Sequence, residues 1–107
     1  MITTHVLDTA LGRPAAGIRV SLELFDAGVW TQVGDGLTDA DGRLRTLTPA
    51  GPVIPGTYRI SFDTGTYLGQ AAFFPRVEIQ FAVADGTQHF HVPLLLSPFG
   101  YSTYRGS

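Results

Sequence analysis

Glycine and proline residues interrupt this sequence at short intervals, and between them apolar and polar residues alternate. The 107 residues include 13 Gly and 7 Pro, which places a turn signal roughly every 8–12 residues. The alternation is clearest in residues 17–25, where Ile18, Val20, Leu22 and Leu24 fall on one face of an extended strand. This combination is typical of an all-β sandwich or barrel.

We expect about eight short strands in a single domain that spans residues 1–107. Turns are predicted at Leu11–Pro14 and Asp39–Gly42, and a proline-rich loop at Thr48–Gly56. The connection Thr64–Phe74 is short and contains room for one or two helical turns at most. The predicted strands are Ile2–Leu7, Gly17–Phe25, Val29–Val33, Leu44–Leu47, Thr57–Asp63, Val77–Val83, Gln88–Leu96 and Tyr101–Arg105.

The low charge of the chain bears on its partners. Charged residues make up 15% of the sequence and the net charge is −2, which argues against a nucleic-acid-binding protein. So few charges leave apolar area at the surface, and we therefore expect an oligomer. No apolar run is long enough to span a membrane, and Met1–Ala10 lacks the features of a signal peptide. We expect a cytoplasmic, bacterial protein, or a periplasmic one if a leader has been removed.

Missing residue types exclude several kinds of chemistry. The chain has no Cys, which excludes disulfides, thiolate nucleophiles, zinc-finger sites and iron–sulfur clusters. All seven cationic residues are Arg, and the absence of Lys excludes a Schiff base and a P-loop. No Ser stands in a nucleophile-elbow pattern. Asp8, Asp39, Asp41 and Asp85 all lie beside turns, where we interpret them as turn formers.

The three histidines and one arginine are the candidates for chemistry. His5 lies in the middle of the first predicted strand, and His89 and His91 project from one face of a later strand. A pair at this spacing can ligate a metal, but no carboxylate follows His91, and we expect no metal site. Arg43 leaves the end of a strand directly after the Asp41-Gly42 turn. Taken singly, each is better explained as an ordinary half-exposed or solvated strand residue.

The C-terminal segment is unusual because its aromatic residues continue almost to the end. Tyr101 and Tyr104 lie within the last seven residues, where chain ends are commonly polar and frayed. We expect the last strand to be packed and Ser107, with its α-carboxylate, to be held near the fold.

Five collinear motifs resemble the transthyretin-related family. They are Thr4-His5-Val6-Leu7-Asp8, Gly12-Arg13-Pro14-Ala15, Thr38-Asp39-Ala40-Asp41-Gly42-Arg43, His89-Phe90-His91-Val92-Pro93-Leu94-Leu95-Leu96-Ser97-Pro98 and Tyr104-Arg105-Gly106-Ser107. The last two are similar to its enzymatic branch, the 5-hydroxyisourate hydrolases. The terminal tetrapeptide discriminates best, because the hormone-carrying transthyretins lack it. Phe90 stands where Tyr is common in the family.

The resemblance implies a two-sheet transthyretin-like (prealbumin-like) β-sandwich with one short helix, assembled as a homotetramer. It implies hydrolysis of 5-hydroxyisourate, in urate breakdown, to 2-oxo-4-hydroxy-4-carboxy-5-ureidoimidazoline, without a metal or organic cofactor. The site residues it implies are His5, Arg43, His91, Tyr104 and Ser107, which meet at a cleft between dimers. It assigns no catalytic role to His89.

Amide hydrolysis suggests a role for each of these residues. One of His5 and His91 is expected to activate water, while the other protonates the leaving nitrogen or orients the water. Arg43 is expected to stabilise the oxyanion and to lower the pKa of a neighbouring His. Ser107 is expected to hydrogen-bond the water or a ring nitrogen, and Tyr104 to contact the substrate. Which His is the base stays open.

Two other functions share this fold. The first is a transthyretin-like carrier that binds an aromatic small molecule in a channel between dimers, and the second is a structural β-sandwich on a larger assembly. His5, His91 and the terminal tetrapeptide favour the enzyme over the carrier. The lack of a linker or tail in the sequence argues against the structural module.

Overall fold

Two β-sheets, joined by short turns and one short helix, contain most of the chain. The computed structural model describes all 107 residues. The elements in chain order are β1 (Ile2–Asp8), β2 (Arg13–Pro14), β3 (Arg19–Asp26), β4 (Val29–Leu37), β5 (Arg43–Leu44), β6 (Gly56–Phe62), α1 (Thr64–Leu68), a 3₁₀ turn (Gly69–Ala71), β7 (Val77–Val83), β8 (Phe90–Ser97) and β9 (Gly100–Thr103). No helix has the length and apolar character needed to cross a membrane. The predicted fold class is confirmed.

The strand order places β1 at the centre of the first sheet. That sheet runs β2-β1-β8-β9, with β5 also paired to β1, and the second runs β4-β3-β6-β7. β1 and β8 are parallel, whereas every other pair is antiparallel. In this register His5 lies opposite both Arg43 and Pro93, and Thr3 lies opposite His91. The topology therefore brings three distant segments of the sequence to one face of the first sheet.

The core lies between the sheets and follows the alternation of the sequence. Ile18, Val20, Leu22 and Leu24 are all buried, and 18 apolar residues from both sheets form one cluster. Each large apolar side chain stabilises the fold by about 1.5–3 kcal/mol when it leaves water. Leu22 is completely buried, so its replacement by Ala is expected to cost about 2–5 kcal/mol.

The helix region matches the prediction of one or two helical turns. Asp63 caps α1 by accepting a hydrogen bond from the Thr66 amide at 3.2 Å. The Tyr67 hydroxyl, from within the helix, donates to buried Asp8 at the end of β1, at 2.7 Å. Asp8 also accepts from the Leu11 amide at 2.9 Å, as predicted for a turn former. Asp8 thus joins the helix to the strand that carries His5.

One predicted turn and two predicted strands differ most from the structure. Leu11–Pro14 was predicted as a turn only, but its last two residues form β2 against the end of β1. The strand predicted at Leu44–Leu47 is reduced to β5, because the following residues cross over β4 instead of pairing beside it. At Gly34 a Cβ would collide with the carbonyl oxygen of Leu47. β4 continues through this glycine to Leu37, although the glycines suggested an end at Val33.

Candidate active site

His5, Arg43 and His91 meet on the outer face of the first sheet. Alternation along β1 directs Thr3 and His5 away from the core, and the register with β5 and β8 places Arg43 and His91 beside them. The rings of His5 and His91 have centroids 6.4 Å apart. The structure thus brings together three of the residues that the motifs indicated.

The turn before β5 fixes the backbone of Arg43. Oδ1 of Asp39 accepts from the amides of Asp41 at 2.9 Å and Arg43 at 3.0 Å. These bonds lower the pKa of Asp39, the one from Arg43 most, so the carboxylate form is favoured. Gly42 has φ of 74°, and a Cβ there would collide with the carbonyl oxygen of Val6. Asp39 is therefore a turn former as predicted, and only Gly suits position 42.

The same turn determines which ring nitrogen of His5 donates a hydrogen bond. Nε2 of His5 lies 3.0 Å from the carbonyl oxygen of Asp41. A carbonyl oxygen can only accept, so Nε2 of His5 must carry the proton and donate it. Nδ1 is then the ring nitrogen that is left without a partner in the protein.

The guanidinium of Arg43 is not paired with a carboxylate. The five ion pairs of the structure involve Arg19, Arg45, Arg59 and Arg76. Asp39, in the turn before Arg43, pairs with Arg45 at 3.6 Å. Arg43 is half-buried and keeps its charge and its planar set of N–H donors for a ligand.

The surroundings of His91 favour its neutral imidazole form. Its pKa is lowered, first by burial and then by the positive charge of Arg43, with smaller effects of His5 and His89. Nδ1 lies 2.8 Å from the hydroxyl of Thr3, which leaves Nε2 as the nitrogen available for a reacting water. The predicted effect of Arg43 on a His is present, but burial is the larger cause.

The C-terminal residues lie against His91. The Gly106 amide donates to the His91 carbonyl oxygen at 2.8 Å, and the Arg105 guanidinium stacks 4.6 Å from the ring centre of Phe90. Ser107 borders a polar pocket of about 170 Å³. The pocket is lined by Met1, Thr3, Thr4, Arg43, Arg45, His89, His91 and Ser107.

The packing expected of the last strand is found only for its backbone. β9 pairs with β8, yet the side chains of Tyr101 and Tyr104 are exposed by 42% and 58%. The prediction of a packed strand was therefore wrong for these side chains. Tyr101 contacts Phe74 edge to face, with ring centroids 5.3 Å apart, but β9 is an edge strand and Tyr104 lies beyond its end.

Tyr104 lies apart from the other candidates. It borders a separate, mostly apolar pocket of about 350 Å³ together with residues of β7 and β8, among them Phe81 and Phe90. Within one protomer it does not line the pocket that contains Arg43, His91 and Ser107.

Thr3 is a pocket residue that sequence reasoning missed. It is buried on the outer face of β1, and its hydroxyl lies within 2.8 Å of both His89 and His91. Its only sequence signal is its place two residues before His5, on the same strand face. No group of three or more His, Cys, Asp or Glu side chains is arranged to hold a metal ion.

Comparisons with known proteins agree with these features. The model of the HIUase/Transthyretin family matches residues 2–106. A 5-hydroxyisourate hydrolase of Salmonella typhimurium is 44% identical over 110 residues, covering 100% of this chain and 81% of the relative. A mouse 5-hydroxyisourate hydrolase is 47% identical over 111 residues, covering 99% of this chain and 94% of the relative.

Two solved structures show the same fold. Klebsiella pneumoniae 5-hydroxyisourate hydrolase superposes with a TM-score of 0.85 at 37% identity, covering 99% of this chain and 98% of that one. Sea bream transthyretin in complex with thyroxine superposes with a TM-score of 0.90 at 34% identity, covering 98% and 93%. The chain belongs to the HIUase/Transthyretin family.

Proposed function

We propose that this protein hydrolyses 5-hydroxyisourate by opening its six-membered ring at a cyclic amide, with 2-oxo-4-hydroxy-4-carboxy-5-ureidoimidazoline as the product. The observation that carries the proposal is the polar pocket in which Arg43, which has no carboxylate partner, lies beside His91, whose pKa is lowered. The hydrolases of Salmonella and mouse, similar over nearly the whole chain, support the same reaction.

Arg43 is the residue that recognises the substrate and stabilises the transition state. A planar guanidinium donates two parallel hydrogen bonds to a carbonyl oxygen and a ring nitrogen. When water adds to the carbonyl carbon, negative charge develops on that oxygen. A cation already in place stabilises the charge without reorganisation. The absence of a carboxylate partner keeps Arg43 free for this contact.

His91 is the residue that we assign as the general base. Burial and the charge of Arg43 favour its neutral form, which is the form that can take a proton from water. His5 already donates its Nε2 proton to the Asp41 carbonyl oxygen. We assign His5 to orienting the water or protonating the leaving nitrogen through Nδ1, and Ser107 to a hydrogen bond with the water or the substrate.

The complete site is proposed to form in a homotetramer. The pocket of one protomer is small, about 170 Å³, and it opens on the exposed face of the first sheet, so a second protomer is needed to enclose the substrate. Tyr104 is separated from this pocket within the protomer. Its predicted contact with substrate therefore requires that it reach the pocket of another copy.

A carrier function is the second candidate, supported by the similarity to sea bream transthyretin in complex with thyroxine. The fold cannot distinguish the two functions, because both kinds of protein share it. The polar pocket beside Arg43 and His91 favours the enzyme, since Met1 is the only apolar residue among the eight that line this pocket. Sites for apolar aromatic ligands are mostly lined by apolar side chains.

The deciding experiment follows the absorbance of freshly generated 5-hydroxyisourate. The purified protein should accelerate its decay without added metal, and the Arg43→Gln variant should not. Equal decay with and without the wild-type protein would exclude the hydrolase. If a chelator inhibited the reaction and added metal restored it, the metal-free mechanism would be excluded.

A further inference from the structure

The hydroxyl of Thr3 lies between two imidazoles. Its Oγ1 is 2.7 Å from Nε2 of His89 and 2.8 Å from Nδ1 of His91. Thr3 is only 4% exposed, so its hydroxyl is largely shielded from solvent. Both contacts are short enough to be full hydrogen bonds.

One hydroxyl has one proton, and this couples the two rings. Thr3 can donate to only one imidazole and must accept from the other. A neutral imidazole has one N–H and one lone pair, so the direction of these two bonds determines which nitrogen of each ring carries its proton. Two arrangements are possible when both rings are neutral.

Only one arrangement leaves His91 able to act as a base at the pocket. If Nδ1 of His91 donates to Thr3, then Nε2 has a free lone pair, and Thr3 donates onward to Nε2 of His89. If the chain of bonds is reversed, Thr3 donates to Nδ1 of His91, and the proton of that ring occupies Nε2. In that form Nε2 cannot accept a proton from water.

We propose that Thr3 and His89 are positioning residues that hold His91 in the tautomer with a free Nε2. This rests on the proposed role of His91 in the hydrolysis. Thr3 acts through its hydroxyl, and His89 acts by accepting the hydroxyl proton, which directs the other side of the oxygen toward Nδ1–H of His91. Neither residue needs to touch the reacting atoms.

The arrangement also gives His89 a function that its exposure does not suggest. His89 is exposed just before β8, and its ring centroid lies 6.3 Å from that of His91. Without His89, the Thr3 hydroxyl loses its acceptor and is free to rotate and donate to His91. A hydrogen-bond partner on the other ring nitrogen commonly fixes the tautomer of a functional His, as it does for metal-bound His.

The test combines nitrogen NMR with kinetics on the full chain. In ¹⁵N-histidine-labelled wild type, neutral His91 should show a protonated Nδ1 and an unprotonated Nε2, and His89 an unprotonated Nε2. Thr3→Val, which keeps the shape but removes the hydroxyl, should shift His91 toward the Nε2-protonated form. It should also lower kcat about tenfold, which is less than the 10²–10⁴-fold contribution of general acid–base catalysis, with little change in KM.

Conservative and matched variants separate positioning from packing. Thr3→Ser should restore both the tautomer and kcat, whereas Thr9→Val removes a hydroxyl bound to the Leu96 carbonyl and should change neither. If the NMR spectrum of the wild type showed the proton of neutral His91 on Nε2, the proposal would be overturned. This result does not require that the Thr3→Val variant folds. Unchanged kcat in folded Thr3→Val would overturn it too. The NMR result does not depend on turnover, so an inactive wild type would refute the proposed function separately.

Discussion

The backbone of Gly106 lies directly against the ring of His91. Its amide donates to the His91 carbonyl oxygen at 2.8 Å, and a Cβ at position 106 would lie 2.6 Å from Cδ2 of the ring. This separation is shorter than a carbon–carbon contact of about 3.5–4.0 Å allows. The ring therefore occupies its place only while position 106 has no side chain. The tail lies at the Cδ2 edge of the ring, whereas Thr3 bonds to Nδ1.

Gly106→Ala should displace His91 and lower kcat roughly 10- to 100-fold, because misplacement of a catalytic group by about 1 Å has effects of this size. The fold should persist, since the change lies near the end of the chain. Turnover and circular dichroism measure the two effects. Gly100→Ala is the matched control, because its nearest neighbour would be Ser97 Oγ at 3.9 Å. If Gly106→Ala turned over at the wild-type rate, the tail would not position the ring.

Arg43→Gln, His5→Ala and His91→Ala should each lower turnover by about 10²–10⁴-fold, the range for an oxyanion donor or a general acid–base group. His89→Ala should reduce it far less, because His89 acts only through Thr3. The effects need not add, since the groups act together. Steady-state kinetics of the four variants test this order. A loss in His89→Ala as large as that in His91→Ala would contradict the assignment within the pair.

The lowered pKa of His91 predicts the pH dependence of kcat/KM. The base must be neutral, so activity should decline as the pH falls through a pKa that lies below the ordinary value of 6.5. Removing the positive charge in Arg43→Gln should raise this pKa only part of the way, because burial is the larger cause. NMR titration of His91 in both proteins gives the values. A His91 pKa above 6.5 in the wild type would be incompatible with the site as described.

The same shift has a consequence for stability. Below pH 6.5 the unfolded chain binds a proton at His91 more readily than the folded protein does, so the unfolded state is favoured as the pH falls. The contribution of His91 to stability is complete above pH 6.5 and is lost as the pH falls through the lower pKa that His91 has in the folded protein. His91→Gln should therefore show a weaker loss of denaturation midpoint between neutral and mildly acidic pH than wild type. Parallel curves for the two proteins would contradict the shift.

Much of the fold follows from local patterns. The alternation in residues 17–25 and 77–83 correctly predicted β3 and β7, because burial of one strand face imposes a period of two. The two-residue strands β2 and β5 were missed or misplaced, since their pairing to β1 depends on tertiary contacts and not on a repeated pattern. β4 was predicted to end at Val33, but the strand continues through Gly34, which allows Leu47 to approach closely, and Gly36, which leaves room for Leu44.

The motifs indicated the residues of the candidate site but not their geometry. The motifs selected His5, Arg43 and His91, whose proximity depends on the parallel pairing of β1 with β8 across more than 80 residues of sequence. No local signal encodes that register, and Thr3 was therefore overlooked. Tyr104 shared a motif with Ser107, yet the two border different pockets. Tyr104 lies beside residues of β7, whereas Gly106 pairs with His91 and leads Ser107 to the polar pocket.

Assembly should be required for turnover. Exposed apolar residues on the protomer include Phe73, Phe99 and Tyr104, which agrees with the low surface charge of the sequence. Sedimentation should show a tetramer, and dilution that dissociates it should abolish hydrolysis. An active monomer would show that one protomer completes the site alone.

A segment attached after Ser107 should inhibit the reaction without unfolding the protein. Ser107 borders the same pocket of about 170 Å³ as Arg43 and His91, so additional backbone has to pass through the space that the substrate needs. The preceding residue, Gly106, is held by its bond to the His91 carbonyl oxygen, which prevents the tail from swinging aside.

An N-terminal extension is not a neutral control for this experiment, because Met1 borders the pocket as well. The same peptide inserted at the Ala27-Gly28 turn between β3 and β4 is better suited, since exposed hairpin tips tolerate insertions and this one belongs to the other sheet. We expect the C-terminal extension to lower turnover at least tenfold, mainly through KM, while the turn insertion leaves it near wild type. Circular dichroism and sedimentation establish that both proteins are folded and assembled. If the protein with the C-terminal extension were folded, tetrameric and fully active, the tail could leave His91 without loss of activity. That result would also contradict the proposed positioning of the His91 ring by Gly106.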